Sequence, residues 1–358
     1  MLRVRLVPWT WLVPLVGWAM LAAAKLSHHP VLLVLEGVSM IGCVLAAVHH
    51  AEVVAHKVGE PFGTLLLALA VTIIEVALIV SLMLSGGEAT ASLARDTVFA
   101  SVMIILNGMV GICLLVGGIR HGEQSFGLYG VNATLAALAA ISVITLVLPN
   151  ATVTTPGPSY SMSQLGFVAV ASLLLYAAFV LVQTVRHRDY FLPDGGSFHA
   201  AADHTPSGAE TAVSAGLMVV SLVAVVLLAK MLAPSIEAGV DRANAPKALV
   251  GVIIAVIVLL PESIAALKAA RANRLQTSLN LALGSAMASI GLTIPAVAAI
   301  SIATGWTLVL GLDLRETILL GLSLLVSTLS LGTGRTIGLQ GMIHLVIFGV
   351  YLFTTAIP

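Results

Sequence analysis

The chain has 358 residues, 59% of them hydrophobic and only 9% charged, with a mean hydropathy of +1.09. No soluble domain has an interior large enough to hide that much apolar surface, so the composition excludes one and predicts an all-α polytopic membrane protein. Formal net charge is zero, which leaves no electrostatic footprint for nucleic acid, and Cys43 and Cys113 both lie in apolar runs where they read as small hydrophobes.

Apolar windows of about twenty residues predict eleven spanning helices. They lie near 6–24, 30–48, 61–85, 97–119, 130–149, 163–185, 212–232, 245–268, 277–304, 315–332 and 337–357. The first follows Arg3 and Arg5 and carries Trp9, Trp11 and Trp18, which suit an interface, so it reads as a retained helix rather than a cleaved signal sequence. At the end of the second, HHAEVVAH (His49, His50, Glu52, His56) reads as an interfacial polar loop and lacks the HExxH spacing of zinc hydrolases. Glu60, Pro61 and Gly63 read as the start of the third. Gly86-Gly87, Pro149-Asn150, Pro156-Gly157-Pro158, Pro193-Asp194-Gly195-Gly196, Pro234 and Gly332-Thr333-Gly334 serve as breakers between spans.

The long polar stretch from Arg186 to Glu210 divides the helices into one plus five, then five more. The expected organisation is an N-terminal extra helix at 1–29, a first five-helix half at 30–186, a linker at 187–211 and a second half at 212–358. With the N-terminus inside, the inner side collects Arg3, Arg5, Lys57, Arg120, Arg186, Arg188, Lys268, Arg271, Arg274 and Arg335. The outer side holds Lys25, Arg95, Lys230, Arg242, Lys247 and Arg315. Ten basic residues against six predict a cytoplasmic N-terminus and linker, with the C-terminus outside.

Of the sixteen Asp and Glu residues, the spans are expected to hold Glu36, Glu75 and Glu262. Glu75 sits midway along LLLALAVTIIEVALIVSLML (Leu65 to Leu84), and Glu262 follows Pro261 in ALVGVIIAVIVLLPESIAAL (Ala248 to Leu267). An acidic side chain at a helix centre costs at least ~3 kcal/mol on insertion scales. No Lys or Arg is expected near the middle of any span, so these glutamates must face one another, polar groups, water or a cation. Burial favours the protonated carboxyl until a cation replaces the proton. Pro261 is expected to break its helix and to free the Ile257 carbonyl beside Glu262. Glu36, nearer the outer end of its helix, reads as a snorkelling or packing residue.

Glu75 is in the third span and Glu262 in the eighth, an odd number of crossings apart. Their helices therefore run in opposite directions, the placement of two inverted five-helix repeats. Following helices offer hydroxyl and amide groups: Ser101 and Asn107 in the first half, Asn280, Ser285 and Ser289 in the second. Two carboxylates with such oxygens are hard ligands, suited to Ca²⁺. A borderline metal would call for Cys or His, and His344 is the lone histidine expected inside a span.

GEPFGTLLLALAVTIIEVALI (Gly59 to Ile79) and LLPESIAALKAARANRLQTSLNLALGSAMASIGLTIP (Leu259 to Pro295) resemble the α-repeats of bacterial ChaA-type calcium/proton antiporters. Those belong to the cation/proton-exchanger branch of the calcium/cation antiporter superfamily. The likeness extends through HHAEVVAHKVGEPFG and STLSLGTGRT, and so covers most of the chain. It implies repeat motifs at 59–86 and 259–295, with Glu75 and Glu262 carrying the cation or protons in turn. It also implies that Gly284-Ser285 matches the family's Gly-Ser element. Eukaryotic exchangers carry Gly-Asn-x-x-Glu in both repeats, where this chain reads VTIIE and VLLPE, so the asparagine's part is assigned to neither Thr72 nor Pro261. A linker with few acidic residues does not suit calcium sensing.

The expectation is a secondary transporter, not an enzyme, in a bacterial inner membrane. It would exchange cytoplasmic Ca²⁺ for external H⁺ by alternating access, with Thr72, Ser101, Asn107, Asn280 and Ser285 as candidate supporting ligands. No cofactor is expected beyond the transported ions, and oligomeric state is left open. Two protons per calcium would keep the loaded forms nearly equal in charge. A third would add ~2.3 kcal/mol per 100 mV of membrane potential. The rivals are a Na⁺/H⁺ or K⁺/H⁺ antiporter of the same fold and, more remotely, a cation channel or an intramembrane hydrolase.

Overall fold

A computed structural model describes residues 7–24, 30–58, 62–86, 90–191, 206–243, 246 and 248–357. Among them are eleven helices: α1 (Pro8–Ala24), α2 (Pro30–Val58), α3 (Phe62–Gly86), α4 (Leu93–His121), α5 (Leu128–Ala151), α6 (Met162–Arg186), α7 (Gly208–Arg242), α8 (Ala248–Arg271), α9 (Leu275–Thr304), α10 (Leu314–Leu331) and α11 (Gly338–Ala356). On their described residues, nine are long and apolar enough to cross a membrane, all but α1 and α3. The chain is an integral membrane protein, and each helix lies on one of the eleven apolar windows read from the sequence.

Four expectations need correction. The HHAEVVAH segment is helical rather than a loop, because no breaker interrupts α2 before Gly59-Glu60-Pro61. Pro234 lies inside α7, and α8 runs through Pro261 without a break. Membrane bundles tolerate such prolines because neighbouring groups and small backbone adjustments offset the lost hydrogen bond. Asp96 and Glu316, expected outside the spans, sit buried on the first turns of α4 and α10. Finally, the extension of α7 places Lys230 well inside that helix, where its side chain is exposed.

The chain separates into two compact units, each drawing helices from both halves. The first comprises Met1–Ser85 and Phe198–Asn244 and so gathers α1, α2, α3 and α7. Small residues set its spacing: a Cβ on Gly17 would lie 2.6 Å from Cys43 Sγ, and one on Gly42 would lie 2.6 Å from Val13. Trp18 Nε1 donates to the Val220 carbonyl at 3.3 Å, tying α1 to α7. At the other end of α1, His50 Nε2 lies 3.1 Å from the Thr10 carbonyl, so that nitrogen carries the proton. His49 lies between Trp9 and His50, 5.6 Å from each ring.

The second unit comprises Gly86–Ser197 and Ala245–Pro358, with α4, α5, α6, α8, α9, α10 and α11. Its central members are α4 and α9, the most enclosed of the spans. The last helix of each half packs on the third helix of the other: α11 on α4, and α6 on α9. Both crossings exploit glycine. A Cβ on Gly341 would strike the Leu115 nitrogen, one on Gly118 the backbone of Gly338, and one on Gly291 would lie 2.9 Å from Tyr176 Cβ. The connections after α4 and α10 pair as a two-residue antiparallel ribbon, Gln124–Ser125 (β1) with Arg335–Thr336 (β2). Arg335 adds an exposed ion pair to Glu123 at 3.1 Å.

Three of these helices are not regular, and α6 closes in a π turn at Val182–Arg186. A π turn at Ile104–Met109 interrupts α4 at its middle, and a second, at Val143–Val147, precedes the 3-10 end of α5. Tyr160, in the connection to α6, donates its hydroxyl to the Ile144 carbonyl of that second turn at 2.6 Å. Burial pushes its phenol up to about 12.

Candidate functional site

In the first unit, α3 presents Thr72 and Glu75 one turn apart, 4% and 3% exposed. Residues three apart share a helix face, so the hydroxyl and the carboxylate look the same way. Glu36, on α2, is likewise only 3% exposed, which makes it a packing residue and not a snorkelling one. Glu60 lies outside the described residues, as does most of the linker, 192–205.

In the second unit, Glu262 lies on α8 directly after Pro261, half-buried as a residue, with its Oε2 atom shut off from solvent. Ser263 turns its hydroxyl back to the Leu259 carbonyl at 2.7 Å, so it is not aimed outward as a further ligand. Ser101 on α4 is buried to 1%, and Ser285 on α9 is half-buried. The neighbouring Gly284 opens on free space: a Cβ there would meet nothing within 4 Å. Glu75 and Glu262 thus belong to different units, on corresponding second helices of the two halves.

The two asparagines are engaged elsewhere. Asn107, in the π turn of α4 and fully buried, donates its amide to Ser323 Oγ at 2.8 Å. Its oxygen faces His344 Nδ1 at 3.4 Å. Asn280 donates to the Phe191 carbonyl at 2.5 Å and accepts from Gln276 Nε2 at 2.9 Å. Gln276 in turn accepts from the Gly127 amide at 2.6 Å. This chain of bonds fastens the turn Arg188–Phe191, just ahead of the linker, to α9 and to the start of α5. The turn is held further by the Tyr190 ring, stacked on His187 at 4.9 Å and tilted against Tyr129 at 5.4 Å.

Sequence reasoning missed Ser323, which sits in the unremarkable run LGLSLLVST, and passed over His344 as a lone residue. It also missed the buried acidic group at the far end of α4. There Asp96 pairs with Arg95 at 2.7 Å and accepts from Ser92 Oγ at 3.0 Å, while Arg95 reaches the Gly311 carbonyl at 3.0 Å. Glu316 closes a capping box with Asp313 at the start of α10. Asp96 and Glu316 thus have local structural partners. Among the described residues, no three His, Cys, Asp or Glu side chains converge as a metal cluster.

Comparison with known proteins places this arrangement. The chain is 50% identical to the y4hA protein of Sinorhizobium fredii over 355 residues, 98% of this chain and 96% of that one. It is 38% identical to the sodium-potassium/proton antiporter ChaA of Escherichia coli over 331 residues, 91% and 89% of the two chains. Its fold matches a solved structure of the Ca²⁺/H⁺ antiporter YfkE with a TM-score of 0.75 at 18% identity, over 98% of this chain and 100% of that one. The family model described as sodium/calcium exchanger protein matches residues 28–185 and 213–356, taking in both halves and both glutamate helices. The chain belongs to the sodium/calcium exchanger family.

Proposed function

We propose that this protein is a secondary active transporter that exchanges cytoplasmic Ca²⁺ for external H⁺ by alternating access. The observation that carries the reading is the recurrence of one glutamate on the second helix of each half, Glu75 on α3 and Glu262 on α8, in a chain of this family. A carboxylate at that depth needs a counterion, and a proton and a cation are alternatives for the same oxygens. Glu75 and Glu262 take the cation when ionised and protons when it leaves, so neither crosses the membrane as a bare anion. Thr72, on the helix face of Glu75, and Ser101 and Ser285, in the same unit as Glu262, supply neutral oxygens, in keeping with the oxygen-rich shell that Ca²⁺ requires. The N-terminus and linker face the cytoplasm of a bacterial inner membrane, with the C-terminus outside.

A second reading, Na⁺/H⁺ or K⁺/H⁺ exchange, is favoured by one observation: the E. coli relative, 38% identical, is named a sodium-potassium/proton antiporter. One ionised glutamate balances one monovalent ion, so the same two residues serve that cycle.

Proteoliposomes with an imposed pH gradient and a pH-sensitive dye decide between them. Ca²⁺, Na⁺ and K⁺ are added separately to wild type, Glu75→Gln and Glu262→Gln. Calcium-driven proton flux that both variants lose supports the proposal. Flux driven only by Na⁺ or K⁺ transfers the assignment to the second reading. Variants that still exchange would show that the two glutamates are structural.

A further inference from the structure

The π turn of α4 is the most connected irregularity in the second unit: Ile104–Met109 packs against α8, α9, α10 and α11. A π turn inserts one residue into a helix and is costly to keep unless its surroundings hold it, which is why such turns gather at functional positions. Here the holding groups can be named. Asn107, inside the turn, is fully buried and spans two neighbouring helices with one amide. Its NH₂ reaches Ser323 on α10, whose own hydroxyl proton goes to the Leu319 carbonyl at 2.7 Å, leaving a lone pair for Asn107. Its oxygen can only accept, so His344 Nδ1, 3.4 Å away on α11, must carry the proton in that contact. The imidazole is itself fully buried, and its backbone is pressed against α4, where a Cβ on Gly111 would lie 3.0 Å from the His344 Cβ. Ring and amide thus have little room to rearrange independently.

We propose that His344 is a positioning residue for cation binding. Its Nδ1–H fixes the orientation of the Asn107 amide, which holds the π turn, and the turn sets the wall that α4 presents to α8, the helix of Glu262. On this account Asn107 contributes by geometry and not as a ligand. The proposal rests on the exchange reading above for the identity of the bound ion, but its test is a binding measurement.

Full-length protein is purified in detergent and its melting followed while Ca²⁺, Na⁺ or K⁺ is titrated, for wild type, His344→Asn, His344→Gln, His344→Leu and Asn107→Leu. An asparagine amide can place an N–H where Nδ1 stood, whereas glutamine places it where Nε2 stood. For the cation that stabilises wild type, the binding midpoint rises about ten-fold in His344→Leu and Asn107→Leu, the loss expected of one buried polar contact. His344→Asn returns to within about two-fold of wild type and His344→Gln does not. In proteoliposomes the same pattern falls on the half-saturating cation concentration more than on the maximal rate. The proposal is overturned if His344→Leu keeps the wild-type midpoint or if Gln rescues as well as Asn. It is also overturned if only the yield of folded protein or the maximal rate falls, or if no cation shifts wild-type melting. Should His344→Leu fail to fold, the Asn-against-Gln comparison alone decides. Cation-shifted melting with no cation-driven proton flux would defeat the exchange reading while leaving the midpoints to judge His344.

Discussion

The amide of Asn107 meets the hydroxyl of Ser323 across 2.8 Å with both residues wholly buried, and this bond ties the middle of α4 to α10. Ser323→Ala leaves an Asn107 N–H in an apolar interior without its acceptor, which costs about 1–3 kcal/mol. Adding Asn107→Leu removes the stranded donor, so the double variant falls well short of the sum of the singles. Thermal or denaturant unfolding in one detergent, run as a four-member cycle, measures the coupling. Strict additivity would mean that the two side chains do not share a bond.

The glycine seam between α4 and α11 makes a sterically sharper prediction. Gly341→Ala drives a methyl group into the Leu115 nitrogen and the Gly111 carbonyl, both backbone atoms that cannot swing aside. Separating the helices costs about 1–3 kcal/mol, the usual range for overpacking. Gly349→Ala, eight residues along the same helix, meets nothing within 4 Å and is the matched control. It melts at or above the wild-type temperature, because alanine favours a helix over glycine. Equal effects at both positions would argue against the close approach.

Asn280 yields a prediction about the segment ahead of the linker. Its amide holds the Phe191 carbonyl, and Gly130 sits so near the Tyr190 carbonyl that a Cβ would lie 2.5 Å from it. Asn280→Ala releases the turn that contains Arg188, and trypsin then cuts there several-fold faster, at roughly unchanged melting temperature, because the loss is local. The check is a time course of cleavage in intact proteoliposomes, with fragments identified by mass. Unchanged cleavage would show that the ring contacts of Tyr190 with His187 and Tyr129 suffice on their own.

Tyr160 gives a dependence on pH with a definite sign. Its phenol, raised by burial from the ordinary value of 10 to about 12, is neutral in the folded state over a range where the unfolded chain has already ionised. The stability it supplies is therefore complete below pH ~10 and is lost as pH rises toward ~12. Tyr160→Phe removes that alkaline loss along with the hydrogen bond to Ile144. The variant is less stable than wild type at neutral pH, and the gap closes between pH ~10 and ~12. A gap that stays constant would mean the hydroxyl is not sequestered.

Much of this was legible in the sequence because the bilayer leaves little freedom. Apolar windows located all eleven helices, since a backbone in hydrocarbon must satisfy its hydrogen bonds within a helix. The same cost argument isolated Glu75 and Glu262. What stayed hidden were features whose signal is not local. Pro234 and Pro261 look like breakers, but continuity through them is decided by neighbouring helices. The HHAEVVAH segment looks polar enough for a loop, but lacks anything to stop a helix. Asn107 and Asn280 are equally plausible ligands as read from spacing. Only Ser323, 216 residues from the first, and Phe191, 89 from the second, reveal that their polar atoms are spoken for. No periodicity announces a π turn, because it depends on partners drawn from other helices.

The division into units has a consequence for biosynthesis. The first unit consists of Met1–Ser85 together with Phe198–Asn244. A ribosome must therefore thread α4, α5 and α6 into the bilayer before α7 arrives to complete the bundle that α1, α2 and α3 began. For that interval the faces that α7 will cover are open to lipid or to the insertion machinery. Neither unit corresponds to a contiguous fragment that could be made alone, whereas a cut in the linker would leave two chains that each hold part of both.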